Sequence, residues 1–165
     1  MANPNQSFQS RSEYIEHVVK ISRVSKKTKG GNKVGFSALT VVGDGKGRVG
    51  VGLGKAPDVS SAIRKGMLLA KKHMVNVPLV QGTIHSRVDV KVGAARVMLK
   101  PAPPGSGIIA GGAVRSVVSA AGITNISSKV LGSNNQTGNV NATLEALKML
   151  SVLHEKKEAL TQKIK

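Results

Sequence analysis

The chain has 165 residues, with 25 Lys and Arg against 8 Asp and Glu, a formal net charge of +17. Its length holds one ordinary domain or two small ones and argues against a large enzyme core, while a charge well above the roughly 2 to 8 that solubility needs marks a surface for polyanions. Cysteine is absent, which excludes disulfides and thiolate metal sites and fits a reducing compartment.

Residues 1–12 are polar and are expected to form a disordered tail without a secretory signal. No run approaches the ~18 apolar residues needed to cross a bilayer, so no membrane partner is expected and a cytoplasmic or organelle-matrix location follows. Ile15, Val18, Val19, Ile21 and Val24 predict a short helix entering a strand, and the basic, glycine-closed residues 25–31 read as a loop. Residues 33–42 and 48–53 predict strands joined through Gly43, Asp44, Gly45, Lys46 and Gly47, a turn whose residues accept positive φ. Gly50, Gly52 and Gly54 imply close backbone approach, to RNA or to a packed neighbour.

Pro57 opens a predicted helix, with Asp58 at the positive end of its dipole. Val59, Ile63, Met67, Ala70 and Met74 are its expected core stripe, and Arg64, Lys65, Lys71 and Lys72 lie opposite. Pro78 marks the boundary to the second half. There residues 83–92 and 96–100 predict a hairpin across Gly93 and Ala94, residues 112–121 a helix of small residues, and residues 125–131 a strand. A polar turn over residues 132–138 precedes a helix capped by Asn139 or Asn141, with Leu144, Leu147, Leu150 and Leu153 on one face and a polar end from Glu155 to Glu158. The expected organisation is a tail (1–12), an RNA-binding domain (13–76), a C-terminal α+β domain (77–150) and a helical extension (151–165), each domain packing helices on antiparallel strands.

Catalytic and cofactor readings fail on spacing. Gly54-Lys55-Ala56 does not complete a phosphate loop, and no acid follows Gly105 and Gly107 at dinucleotide-binding distance. His17, His73, His85 and His154 lack metal-ligand spacing, so neither metal nor cofactor is expected. The segment through Gly105, Ser106 and Gly107 offers amides to an anion, as in a small-molecule kinase, but the second half has only Asp89, Glu145, Glu155 and Glu158 to supply a catalytic carboxylate. No enzyme is expected.

The positive reading is RNA. Phe8, Tyr14 and Phe36 are the only aromatics, which favours phosphate, ribose and shape contacts to folded RNA over base stacking. Lys20, Arg23, Lys26, Lys27, Lys29 and Lys33 are expected to cluster around one loop, with Lys46 and Arg48 at the next hairpin, forming a rim of basic tips. Between Asp89 and Glu145 no acid occurs, so Arg96, Lys100, Arg115 and Lys129 are expected to need an external anion. A free-standing binder of structured RNA shares this reading.

Arg23-Val24-Ser25-Lys26, Lys29-Gly30-Gly31, ALTVVGDG at 38–45, GRVG at 47–50, Gly54-Lys55-Ala56, GSGIIAGGAV at 105–114 with Arg115, and residues 122–133 resemble bacterial-type small-subunit ribosomal protein five over residues 13–150. The resemblance implies a two-domain α+β protein, the first domain like a double-stranded-RNA-binding fold and the second with a left-handed β-α-β unit. It implies binding of small-subunit rRNA near the decoding region, contact with small-subunit proteins four and eight, and a place lining the channel through which messenger RNA enters. It also implies roles in assembly and translational accuracy, and spectinomycin resistance arising at residues 25–31. RNA contact is expected, from the distribution of cations and glycines along the chain, of Lys20, Arg23, Ser25, Lys26, Lys27, Lys29, Gly30, Gly31, Lys33, Lys46, Arg48, Lys55, Arg64 and Lys65, and the resemblance implies contact with protein four at Gly105, Ser106, Gly107 and Arg115. Family members usually carry aromatics where Val51 and Leu53 stand here.

Overall fold

A computed structural model describes residues 14–163, with side chains in the last helix as far as Lys156; the tail expected over residues 1–12 lies outside them. β-Branched residues dominate from Ile15 onward and form no helix: a single strand, β1, runs Ile15–Thr28. Its partner β2 spans Gly31–Gly43, so the predicted loop over residues 25–31 is reduced to a turn at Lys29 and Gly30. The pairing is antiparallel from Ile15↔Gly43 to Thr28↔Gly31, with one irregularity between Val18 and Lys20. β3, Arg48–Ala56, pairs with β2 only as far as Phe36↔Ala56, because Pro57 follows and has no N–H to extend the ladder. Beyond that row, residues 24–35 project as an exposed two-stranded arm.

The turn between β2 and β3 is organised as expected. Gly45 and Gly47 have φ of 66° and 107°, and Asp44 Oδ1 accepts from the backbone N–H groups of Lys46 at 2.8 Å and Arg48 at 2.9 Å.

Helix α1 spans Val59–Lys72, with Asp58 as N-cap accepting from the Ser61 amide; it starts after Pro57 rather than at it. Its buried stripe is Ala62, Gly66 and Ala70, whereas Val59, Ile63 and Met67 of the predicted stripe are only half-buried flanks and Met74 lies in β4, Met74–Asn76. The cause is in the strand below. A Cβ on Gly50, Gly52 or Gly54 would strike the carbonyl oxygen of Ala70, Gly66 or Ala62 respectively, so the helix lies against bare backbone and larger side chains are displaced sideways. The close approach expected of these glycines is therefore to a packed neighbour.

In the second half β5 is Val88–Val92, shorter than the predicted strand from residue 83: Thr83 closes a turn through an isolated bridge with Val80, and residues 84–87 are irregular. β6 (Ala95–Pro101), β7 (Ile108–Ile109) and β8 (Ile126–Val130) complete a sheet of order β5-β6-β8-β7. β7 and β8 are parallel, joined through α2, Gly112–Ala120, in a β-α-β unit. Helix α3, Gln136–Lys163, begins ahead of the predicted caps: Asn135 Oδ1 accepts from the Thr137 amide, while Asn139 is buried and donates to the Ser133 carbonyl. Leu147 and Leu150 are fully buried and Leu144 partly, but Leu153 is exposed. Glu155 and Lys156 are exposed as predicted, and Lys157 and Glu158 lie beyond the described side chains.

The fold is the expected two-part α+β architecture, β1-β2-β3-β4 with α1 and β5-β6-β8-β7 with α2 and α3. One continuous core joins the parts: Leu39, Val41 and Val49 of the first pack with Val114, Val117 and Leu147 of the second. The glycine turn docks on the end of α2, where Gly45 N donates to Ala120 O at 3.1 Å and Gly47 N to Ala121 O at 2.9 Å. Among the described residues no helix is long and apolar enough to cross a membrane.

Candidate RNA interface

Directly opposed residues of an antiparallel pair point to the same face and alternate along each strand. Lys26 stands opposite Lys33, and Ser22-Ser37-Lys55 and Lys20-Leu39-Leu53 form parallel rows on that same face. This face is the one turned away from α1. Ser25, Lys26, Lys33 and Lys55 line one shallow concavity at the arm's base. Arg23, opposite Phe36, and Lys27, opposite Asn32, belong to the other face. Lys29 and Gly30 form the tip, and Gly31, at φ 124°, begins the return strand. The arm thus carries cations on both faces and its end, and none of these cations has an ion-pair partner among the described residues. Two lysines directly opposite each other repel. An anion placed between them reverses that cost.

The remaining predicted cations are elsewhere. Lys46 and Arg48 do not share a rim with the arm, because β2 is 13 residues long and about 3.3 Å per residue puts them roughly 40 Å from the tip. Arg48 Nε binds Asp44 Oδ2 at 2.9 Å. Burial alone raises the Asp44 carboxyl, but hydrogen bonds from the Arg48 and Lys46 backbone amides and the Arg48 guanidinium outweigh it and hold the group below its ordinary value. Arg64 and Lys65 are exposed on α1. Lys71, expected on the same open side, instead reaches β1, binding Glu16 at 2.8 Å and lying 5.2 Å from the Tyr14 ring centre.

Gly105 and Gly107 do not open α2. Their amides both donate to Asn125 Oδ1, at 3.0 and 3.2 Å, and β7 intervenes before the helix. The backbone groups a phosphate would need are thereby occupied. Ser106 is exposed at the crest of this turn, and Arg115 donates to the Ile108 carbonyl at 3.3 Å. Arg96 also needs no external anion, since it grips Asp89 with two hydrogen bonds of 3.0 and 3.1 Å, and that guanidinium, with Arg87 adding to it, lowers the Asp89 carboxyl. The acid-free stretch hid this pair because its acid lies just outside it, across a hairpin. Asn125 was missed for a similar reason: it acts 20 and 18 residues away in sequence. No group of three or more potential metal ligands occurs among the described residues.

The family model for "Ribosomal protein S5, N-terminal domain" matches residues 14–78, and that for "Ribosomal protein S5, C-terminal domain" matches residues 90–159. The small ribosomal subunit protein uS5 of Chloroflexus aurantiacus is 54% identical over 143 residues, covering 87% of this chain and 80% of the relative. That of Syntrophobacter fumaroxidans is 56% identical over 141 residues, covering 86% and 85%.

Proposed function

The chain belongs to the ribosomal protein S5 family, a structural and non-enzymatic component of the small ribosomal subunit, and from this premise we propose that its arm clamps folded small-subunit rRNA. The observation that carries the reading is the opposition of Lys26 and Lys33 beside Lys55, a like-charge cluster that only an anion relieves. Lys20, Arg23, Ser25, Lys27 and Lys29 extend it along the arm, and Gly30 and Gly31 let backbone approach phosphate. Lys46, Arg48, Arg64 and Lys65 serve RNA segments away from the arm. Residues 13–76 form the RNA-binding domain and residues 77–150 the second domain.

Through this clamp the protein supports subunit assembly and decoding accuracy in a cytoplasmic ribosome, and helps line the channel by which messenger RNA enters. Gly105, Ser106, Gly107 and Arg115, held in a stiff turn by Asn125, meet small-subunit protein four, and small-subunit protein eight is the other protein neighbour. The test is reconstitution of small subunits with Lys26→Gln, Lys33→Gln protein, followed by chemical footprinting of the rRNA. Loss of protection confined to one RNA region assigns the arm; unchanged protection removes it from the interface.

A further inference from the structure

The histidines have no metal-ligand spacing along the chain, but the fold brings two of them together. The rings of His85 and His154 lie with their centres 5.3 Å apart and their planes inclined at 36°. His85 comes from the irregular segment that leads out of the first half into β5, and His154 from α3. Both are half-buried. The backbone on either side is held by the core, because Ile84, next to His85, is 1% exposed and Leu150, one turn before His154, is fully buried. Past that turn α3 leaves the core, with Val152 and Leu153 exposed. The two rings thus meet where the helix departs.

Histidine is the commonest metal ligand, through either ring nitrogen. Two imidazoles that share one tetrahedral ion, with metal–nitrogen bonds of about 2.0–2.1 Å, have ring centres about 5 Å apart. The observed separation matches. A flat stack does not describe the pair, since its planes would be near parallel. Ser86 Oγ, next along the chain from His85, is buried with no hydrogen-bond partner among the described residues, and a water held on such an ion would satisfy it.

We propose that His85 and His154 together bind a divalent transition metal of the zinc class, which ties the far part of α3 to the segment between the two halves. Imidazole nitrogen suits zinc, nickel or copper, whereas magnesium and calcium take oxygen ligands. Two protein ligands are fewer than a closed structural site uses, so water completes the ion's shell and the metal binds reversibly. The site uses no residue of the arm and stands apart from the RNA reading.

The full chain, free of RNA and chelator, is titrated with zinc chloride and separately with magnesium chloride, and the imidazole signals of its histidines are followed by NMR. Those of His85 and His154 should move together and saturate at one zinc per chain, with His17 and His73 unmoved and no response to magnesium. Saturating zinc should raise the melting temperature, as any ligand of the folded state does. His85→Gln and His154→Gln should each weaken zinc binding at least about tenfold in competition with a chromophoric chelator, whereas His73→Gln, at the exposed end of α1, should not. Melting temperatures in metal-free buffer check that the variants fold, and the NMR titration needs no variant. Signals of all the histidines drifting without saturation, or zinc affinity unchanged in both single variants, overturn the site and leave the two rings as an aromatic contact alone.

Discussion

Gly52 of β3 lies directly beneath the carbonyl oxygen of Gly66 in α1, and a Cβ on Gly52 would also come within 2.7 Å of the Ala70 amide nitrogen. Backbone cannot yield as a flexible side chain does, so Gly52→Ala must lift the helix from the sheet. The expected cost is about 1–3 kcal/mol, the usual range for overpacking. Gly30→Ala, where a Cβ meets nothing within 4 Å, is the control and should leave the urea midpoint nearly unchanged. Equal midpoints for the two variants would disprove the close packing.

Gly45→Val should destabilise by ~1 kcal/mol or more, because φ at Gly45 is 66°. The damage should reach both sheets, since Gly45 also donates to Ala120 and its carbonyl faces Gly122. Thermal unfolding followed by probes in each half should show a single, lowered transition. An unchanged melting temperature would mean the turn does not join the halves.

Asp44 sets an acid limit. Its folded pKa lies below its ordinary value of 3.8. A depressed carboxyl contributes stability that is fully present above the unfolded value and lost as pH falls through the folded one. Asp44→Asn should therefore be less stable than wild type near neutrality, and the two should converge below about pH 3.8. Stability curves that stay parallel across this window would contradict the assignment.

Lys26→Ala with Lys29→Ala should leave folding stability within about 0.5 kcal/mol, as exposed substitutions do. RNA binding, misreading and spectinomycin response should change in ribosomes carrying the variant. A collapsed melting temperature with wild-type accuracy and drug response would make the arm's end a structural element.

Asn125→Ala removes the acceptor shared by Gly105 and Gly107. Freed of it, the turn should loosen at a cost of about 0.5–1.5 kcal/mol per hydrogen bond. Amide exchange at Gly105 and Gly107 should accelerate while exchange in β6 stays slow. Unaltered exchange would show that the turn holds itself.

Much of this protein was legible locally. The charge of +17, the scarcity of acids after Asp89 and the near absence of aromatics name a partner class and a contact mode without any fold, because charge and stacking capacity belong to the residues themselves. The Gly43–Gly47 turn was readable for the same reason, since positive φ is a property of glycine. Residues 15–24 misled because apolar residues at 15, 18, 19, 21 and 24 in a short β-branched run fit either element, and only pairing with β2 decides. Tertiary structure alone determined which side of α1 is core, because that depends on the bare strand beneath it. It likewise decided the arm, which exists because β3 stops at Ala56 while β1 and β2 continue. The same strand length parts Lys46 from Lys29, cations that sequence proximity had placed on one rim. Asp89 with Arg96 and Asn125 with Gly105 meet through a hairpin and a crossover. Such pairings are set by chain path, which no local pattern encodes.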